Sequence, residues 1–380
     1  MIIRKLLSAV LAVNVFMASC VPALQGVVSM DAGEVLLGDY RYSEDVTIMQ
    51  SAEISNDQDN SQLQNFLIDG GIIVVKNDRT ADYNLGDVLG MSISIDPILE
   101  SDENSPGVDI ATIYYKFADT IDGVYIINVN GDTAVDEDAL INEAVAEIRM
   151  RKDERNLTYD STLYTAATAT GTEAVLGIID IMATSPPYGK LHSIYEIYTV
   201  QDYSSQDYYW VKASLFGYPG AELSQADTNY GWQYVGTAID VEMSTPTSSV
   251  TVRASGPQST ANTTTFTVDL GGQLGFSYED RLKFEAGLGV NFAWSWNIEE
   301  VTVVETGSTT RRNWAVAIGD AVDERYAIFK PGIAFECPYT KTSVDIDLYA
   351  VYNIESFWVF NEEIVIDRTV RCTASNATLQ

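Results

Sequence analysis

From about residue 263 to 298 the chain alternates polar and apolar side chains with unusual regularity along two arms, and that regularity constrains its fold more than any other feature. In the first arm the even positions carry Phe266, Val268, Leu270, Gly272, Leu274, Phe276 and Tyr278, while the odd ones carry threonine, serine, glycine, Asp269 and Gln273. A charged turn, EDRLK, follows at 279–283. In the second arm Phe284, Leu288, Val290, Phe292, Trp294, Trp296 and Ile298 occupy even positions, against Glu285, Asn291 and small residues at odd ones. Side chains alternate across a strand, so each arm has one bulky apolar face and one small, polar face. Folding about Arg281 sets Tyr278 opposite Phe284, Leu270 opposite Phe292 and Phe266 opposite Trp296. All the bulk then lands on one side. Each arm of roughly 14 residues reaches ~45 Å, more than the ~9–11 residues a tilted membrane strand needs.

Two readings of that hairpin stand side by side. As a membrane element, its even face meets lipid, its odd face lines water, and Phe266, Trp294 and Trp296 sit at the interface level. One hairpin cannot close a barrel, so several subunits would have to contribute one each. As a soluble element, the same alternation is that of a half-buried hairpin in a β-sandwich.

The rest of the chain reads as mainly β, α+β overall: an antiparallel β-sandwich bearing the hairpin, with a smaller N-terminal α+β region. The expected division is a signal peptide over 1–23, a flexible acidic leader over 24–62, the α+β region over 63–185 and the sandwich over 186–380. Arg4 and Lys5 followed by an apolar run read as an export signal. Two exits from it are open: cleavage near Ala23, or acylation of Cys20 in the lipobox-like Met17-Ala18-Ser19-Cys20. Export permits a disulfide, and Cys337 with Cys372 is the candidate pair. Asn156, Asn262 and Asn376 lie in N-x-S/T sequons. Acids outnumber bases 54 to 22 for a net charge of −32, which argues against nucleic acid as a partner and against electrostatic attraction to anionic lipid.

One helix is expected over 136–150, because Leu140, Ile141, Ala144, Val145 and Ile148 recur at helical spacing and Asp136 can cap it. The basic run RMRKDER at 149–155 reads as its solvated end. Alternation marks a strand over 342–355, with Val344, Ile346, Leu348, Ala350, Tyr352 and Ile354 on one face and Asp345 and Asp347 on the wet one. Tyr234 to Ser244 alternates likewise, through Ile239, Val241 and Met243.

No chemistry-bearing constellation emerges, and neither a cofactor nor a metal is expected. His192, the single histidine, shares a strand face with Ile194 and reads as structural. Asn128, Asn130, Asp132 and Asp136 resemble a calcium loop, but the required glycine is replaced by Thr133 and the last acidic ligand is misplaced. A strand-to-helix turn explains them better.

The glycine-spaced arms FTVDLGGQLGF and FEAGLGVNFAWSW, followed by the tryptophan strand RRNWAVAI at 311–318, resemble the stem region of the leukocidin/α-hemolysin superfamily of β-pore-forming toxins. DYYWVKASL and WQYVGTAIDVEM look like the sandwich strands that lead into that stem. The resemblance covers about 190–335 and implies a secreted monomer that assembles on a target lipid membrane, as a homo-oligomeric ring or with a related second component, and inserts one hairpin per subunit. It implies lipid contact for Phe266, Val268, Leu270, Leu274, Phe276, Phe284, Leu288, Val290, Phe292, Trp294 and Trp296, and a lumen lined by Asp269, Gln273, Glu285 and Asn291. Two departures stand out. Only residues 299–380 follow the hairpin, which leaves little room for that family's membrane-contacting rim, and its lipid-headgroup residues have no match here. The alternative is a cell-surface structural or adhesive β-sandwich protein, anchored through Cys20 or not, with no enzymatic activity.

Overall fold

A computed structural model of the chain describes residues 41–42, 45–50, 61–77, 85–96, 98, 107–117, 121–130, 134–158, 171–186, 188–202, 206–219, 232–256, 260–261, 301–322, 327–338, 343–356 and 360–373. The export signal, Cys20 and the whole hairpin 263–298 lie outside the described residues.

The N-terminal elements are β1 (Arg41–Tyr42), β2 (Val46–Gln50), α1 (Ser61–Ile68), β3 (Ile72–Lys76), α2 (Leu85–Val88), β4 (Ile93–Ile95), β5 (Val108–Phe117), β6 (Ile121–Val129) and α3 (Glu137–Thr158). Long strands follow: β7 (Gly171–Ser185), β8 (Gly189–Asp202), β9 (Gln206–Pro219), β10 (Trp232–Ser244), β11 (Thr251–Gly256) and β12 (Thr260–Ala261). The chain closes with β13 (Val301–Gly307), β14 (Arg311–Val322), β15 (Ala327–Phe329), β16 (Gly332–Pro338), β17 (Ser343–Ser356) and β18 (Phe360–Thr373).

Two sheets form. The larger runs β1-β2-β3-β5-β6-β7-β8-β9-β16-β11, with β15 paired to β9, and the smaller runs β12-β13-β14-β10-β17-β18-β4. Pairing is antiparallel except at β2–β3 and β6–β7. Those two parallel pairs are the crossovers that carry α1 and α3, as a parallel connection requires. Residues 46–50, expected to belong to the flexible leader, are therefore a sheet strand, in register from Val46↔Ile72 to Gln50↔Lys76. The short apolar VTIM run is legible as a strand only once β3 is there to pair with it. The expected boundary at 185/186 falls in the turn between β7 and β8, across which hydrogen bonding continues from Ser185↔Gly189 onward.

Strand periodicity decides which side chains meet. One face of the large sheet presents Ile179, Ile181, Leu191, Tyr195, Val211 and Phe335 to Ile239, Val241, Met243, Trp314, Ile346 and Leu348 of the small sheet. The residues expected on one side of β17, from Val344 to Ile354, all lie in this core. Asp345 and Asp347 face outward, toward Arg371 and Thr369. The other face of the large sheet, with Ile113, Tyr115, Tyr125, Ile127, Ile178 and Met182, packs against Ile141, Ala144, Val145 and Ile148 of α3. The fold is thus three layers: helix, large sheet, small sheet.

Local signals set the helix ends. Asp136 Oδ1 accepts a hydrogen bond from the Ala139 N–H at 3.0 Å, the N-cap the sequence suggests. Helix α1 ends where Gly71 N–H donates to Phe66 O and Gly70 N–H to Leu67 O. Gly70 has φ of 91°, which a residue with a Cβ adopts at a cost.

Cys337 and Cys372 are both buried, and no disulfide joins them. They sit on opposing sheets, Cys337 on β16 beside Asp207 and Cys372 on β18 beside Val344. Strand β18 lies against β7 and β8, whereas β16 is the far neighbour of β9. The expected bridge is corrected on that ground: an oxidising compartment permits a disulfide, but strand placement decides it. Burial pushes the Cys372 thiol well above its ordinary range.

Candidate functional site

The hairpin's own side chains are not described, but its roots are. β12 pairs antiparallel with β13, Thr260 against Val303 and Ala261 against Thr302. The two chain ends that bound 262–300 therefore lie side by side at one edge of the small sheet. β13 is held on its other side by β14, from Val301↔Ile318 to Gly307↔Arg312. Val303 faces the core at 2% exposure, whereas its neighbour Val304 is 44% exposed. Trp314, in the tryptophan strand, is fully buried beneath this edge. Beside it, a polar groove of about 620 Å³ runs between β11 and the β13–β14 turn. Its arginines are matched by carboxylates, Arg312 facing Glu305 at 3.4 Å and Arg253 facing Glu336 at 3.5 Å.

A second cluster escaped the sequence reading. Beneath α3, Asp180 of β7 is fully buried. Arg151 of α3 reaches it at 2.5 Å, Tyr115 donates to its other oxygen at 2.9 Å, and His192 Nε2 lies 3.5 Å away. Arg151 also binds Glu147, one helical turn earlier, and Glu147 accepts from the Tyr125 hydroxyl at 3.1 Å. Burial pushes the Asp180 carboxyl up, but the Arg151 charge and His192 together outweigh it and hold the group below the usual carboxylate range. Burial, with Glu147 beside it, pushes the Tyr125 hydroxyl well above its ordinary value. His192 does share its face with the partly buried Ile194, as alternation requires.

The helix expected to end at 150 continues to Thr158, so the basic run 149–155 lies within it; Arg149 is half-exposed as expected, but Arg151 is turned inward. Arg149 makes a two-pronged bond to Asp45 at 2.7 Å, Arg151 points into the sheet, and Lys152 donates to the Gly70 carbonyl. The signal available was Arg151 itself, three residues after Ile148 on the apolar stripe of α3.

The calcium-like stretch also resolves into structure. Asn128 donates to Asp109 at 2.8 Å and Asn130 donates to Asn128 at 2.7 Å. Arg368 of β18 meets the same Asp109 oxygen at 2.5 Å. Asp109 and Arg368 are both buried, so this pair ties the two sheets together. Asp136 is occupied as a helix cap, while Asp132 lies outside the described residues. Among the described residues no group of three or more acidic, histidine or cysteine side chains is placed to hold a metal.

No family model matches the chain, and no curated protein matches it. Among solved structures it is similar to a "Pore forming protein" (7% identity, TM-score 0.26, covering 52% of this chain and 87% of that one). It is also similar to Clostridium perfringens delta-toxin (11% identity, TM-score 0.28, 54% and 87%). A third is the Clostridium perfringens NetB toxin in its membrane inserted form (6% identity, TM-score 0.22, 52% and 92%). It is similar as well to the KRT10-binding region domain of the pneumococcal serine rich repeat protein PsrP (11% identity, TM-score 0.15, 47% and 88%). Pore-forming proteins and toxins thus stand among the structural neighbours, and likenesses this remote transfer neither mechanism nor site residues.

Proposed function

We propose that this is an exported pore-forming protein that assembles on a target lipid membrane, as a ring of identical subunits or with a related second component. Each subunit contributes 263–298 to a shared transmembrane β-barrel. The observation that supports this most is the β12–β13 pair. A chain that leaves along one strand of an antiparallel pair and returns along its neighbour makes a hairpin excursion, and a stem requires that topology. The sequence between supplies the chemistry: apolar even positions for lipid, small and polar odd positions for a lumen. Ring closure removes the strand edges that lipid cannot satisfy. Asp269 and Glu285 make the lumen acidic, so the channel favours cations.

The test uses the mature protein and dye-loaded liposomes of varied lipid and salt. Expected are heat-labile oligomers and dye release, both absent without lipid. Val290→Arg puts a charge on the lipid face at a cost of about 2–4 kcal/mol per subunit and abolishes release. Neither oligomers nor release from any liposome overturns the proposal and leaves the cell-surface adhesive reading.

A further inference from the structure

The groove between β11 and the β13–β14 turn plays no part in the pore-forming proposal. Its floor is a fixed array. Ser255, 7% exposed, donates from its hydroxyl to Glu305 at 2.5 Å and accepts from Arg312 Nε at 3.1 Å. Arg312 Nη1 donates to the carbonyls of Ser308 and Arg311, which holds the guanidinium over the turn. Gly307 makes room for it: a Cβ there would collide with the Arg311 carbonyl and stand 2.9 Å from Arg312 Cδ and Nη1.

A guanidinium carries five N–H donors, and these partners leave some over. Among the described residues nothing bonds Arg312 Nη2, and Arg253, half-exposed at the rim, meets only Glu336 through Nε at 3.5 Å. Hydroxyls of Thr306, Ser308 and Thr309 line the same groove, and a hydroxyl both donates and accepts. Formal charge sums to zero, because Glu305 answers Arg312 and Glu336 answers Arg253. That balance decides the class of ligand. An anion drawn to the guanidinium groups meets the Glu305 carboxylate on the same floor, and a cation drawn to Glu305 meets Arg312 3.4 Å from it. A neutral polyhydroxy compound meets no like charge, and each of its hydroxyls can serve a donor or an acceptor of the wall. Adjacent hydroxyls of a sugar ring match the paired N–H groups of a guanidinium or the paired oxygens of a carboxylate. The volume of about 620 Å³ lies within the ~300–1,000 Å³ of small-molecule sites and suits a short oligosaccharide.

We propose that this groove binds a neutral saccharide, with Arg312 and Glu305 gripping adjacent hydroxyls and Arg253 closing the rim. The site goes beyond the pore-forming reading and does not depend on it. Strand β13 runs from Val301, beside the β12–β13 root, to Gly307 at the groove, a length of about 20 Å. A bound saccharide therefore lies at the opposite end of that strand from the place where 262–300 leaves the sheet.

The test applies the mature protein, without lipid, to a printed array of neutral and acidic oligosaccharides. Binding to neutral saccharides is expected. Arg312→Ala weakens it roughly tenfold or more, the worth of hydrogen bonds from a charged group. Gly307→Ala, which keeps the guanidinium but displaces it, does the same. Arg253→Ala weakens binding less, and at its half-exposed position it keeps the test in force where either floor variant fails to fold. Arg371→Ala, which breaks an exposed pair elsewhere, leaves binding unchanged. Binding confined to acidic oligosaccharides overturns the neutral class. Binding to no saccharide, or binding that Arg312→Ala, Gly307→Ala and Arg253→Ala all retain in full, overturns the site. Dye release from liposomes is a separate readout: its absence in the unmodified protein overturns the pore-forming reading and leaves the groove standing.

Discussion

The two faces of the large sheet solve different problems with the same strands. Toward the small sheet, β7, β8 and β9 present Ile179, Ile181, Leu191, Tyr195 and Val211 to an almost wholly apolar interior. Toward α3 the same strands present Asp180 and His192, and the helix answers with Arg151 and Glu147. Apolar packing is tolerant of detail, whereas a buried charged set demands that each member be present. Over β7 and β8 the helix face is therefore the specific one and the sandwich face the forgiving one; between the sheets the demand for matched charge is met at the Asp109–Arg368 pair of β5 and β18.

Asp180→Ala is the sharpest way to break this contrast. It strands the Arg151 guanidinium in a buried site, and a loss of about 4 kcal/mol in denaturant unfolding is expected. Replacing Arg151 and Asp180 together by apolar residues recovers most of it. A single-variant loss no larger than an exposed-site change would erase the distinction. On the sandwich face, Leu348→Ala removes a fully buried side chain and costs about 3 kcal/mol, with conservative swaps such as Leu348→Met far milder.

The pH response separates the faces further. The folded state holds Asp180 below the usual carboxylate range. Its stabilising contribution is thus present above the unfolded pKa and is lost as pH falls through the folded value. Asp180→Asn flattens the acid limb of a stability-against-pH curve, and Leu348→Ala shifts that curve down with its shape unchanged. Smaller still, Asp136→Ala removes the α3 cap for about 1 kcal/mol. Arg371→Ala removes an exposed pair with Asp345 and changes stability by less than about 0.5 kcal/mol.

The same contrast explains what could be read from the chain alone. The core face of β17 was legible, because Val344, Ile346, Leu348, Ala350, Tyr352 and Ile354 alternate and every one is buried. So was the α3 start, where one carboxylate meets one N–H. The Asp180 cluster was not, since its members lie at 115, 125, 147, 151, 180 and 192 and meet only through non-local pairing. Parallel strand β2 failed for the same reason, as its partner lies beyond a helix. For the hairpin, which lies outside the described residues, the alternation is a property of the sequence, whereas the root register with Thr260 opposite Val303 came only from the fold.

Hydrogen exchange across 263–298, with and without liposomes, tests the central claim most directly. The account predicts that this segment's amides become protected when lipid is added, while those of β17 and β18 keep the protection they have in solution. Protection of 263–298 that is the same with and without lipid, under conditions where the protein binds the liposomes, would contradict it.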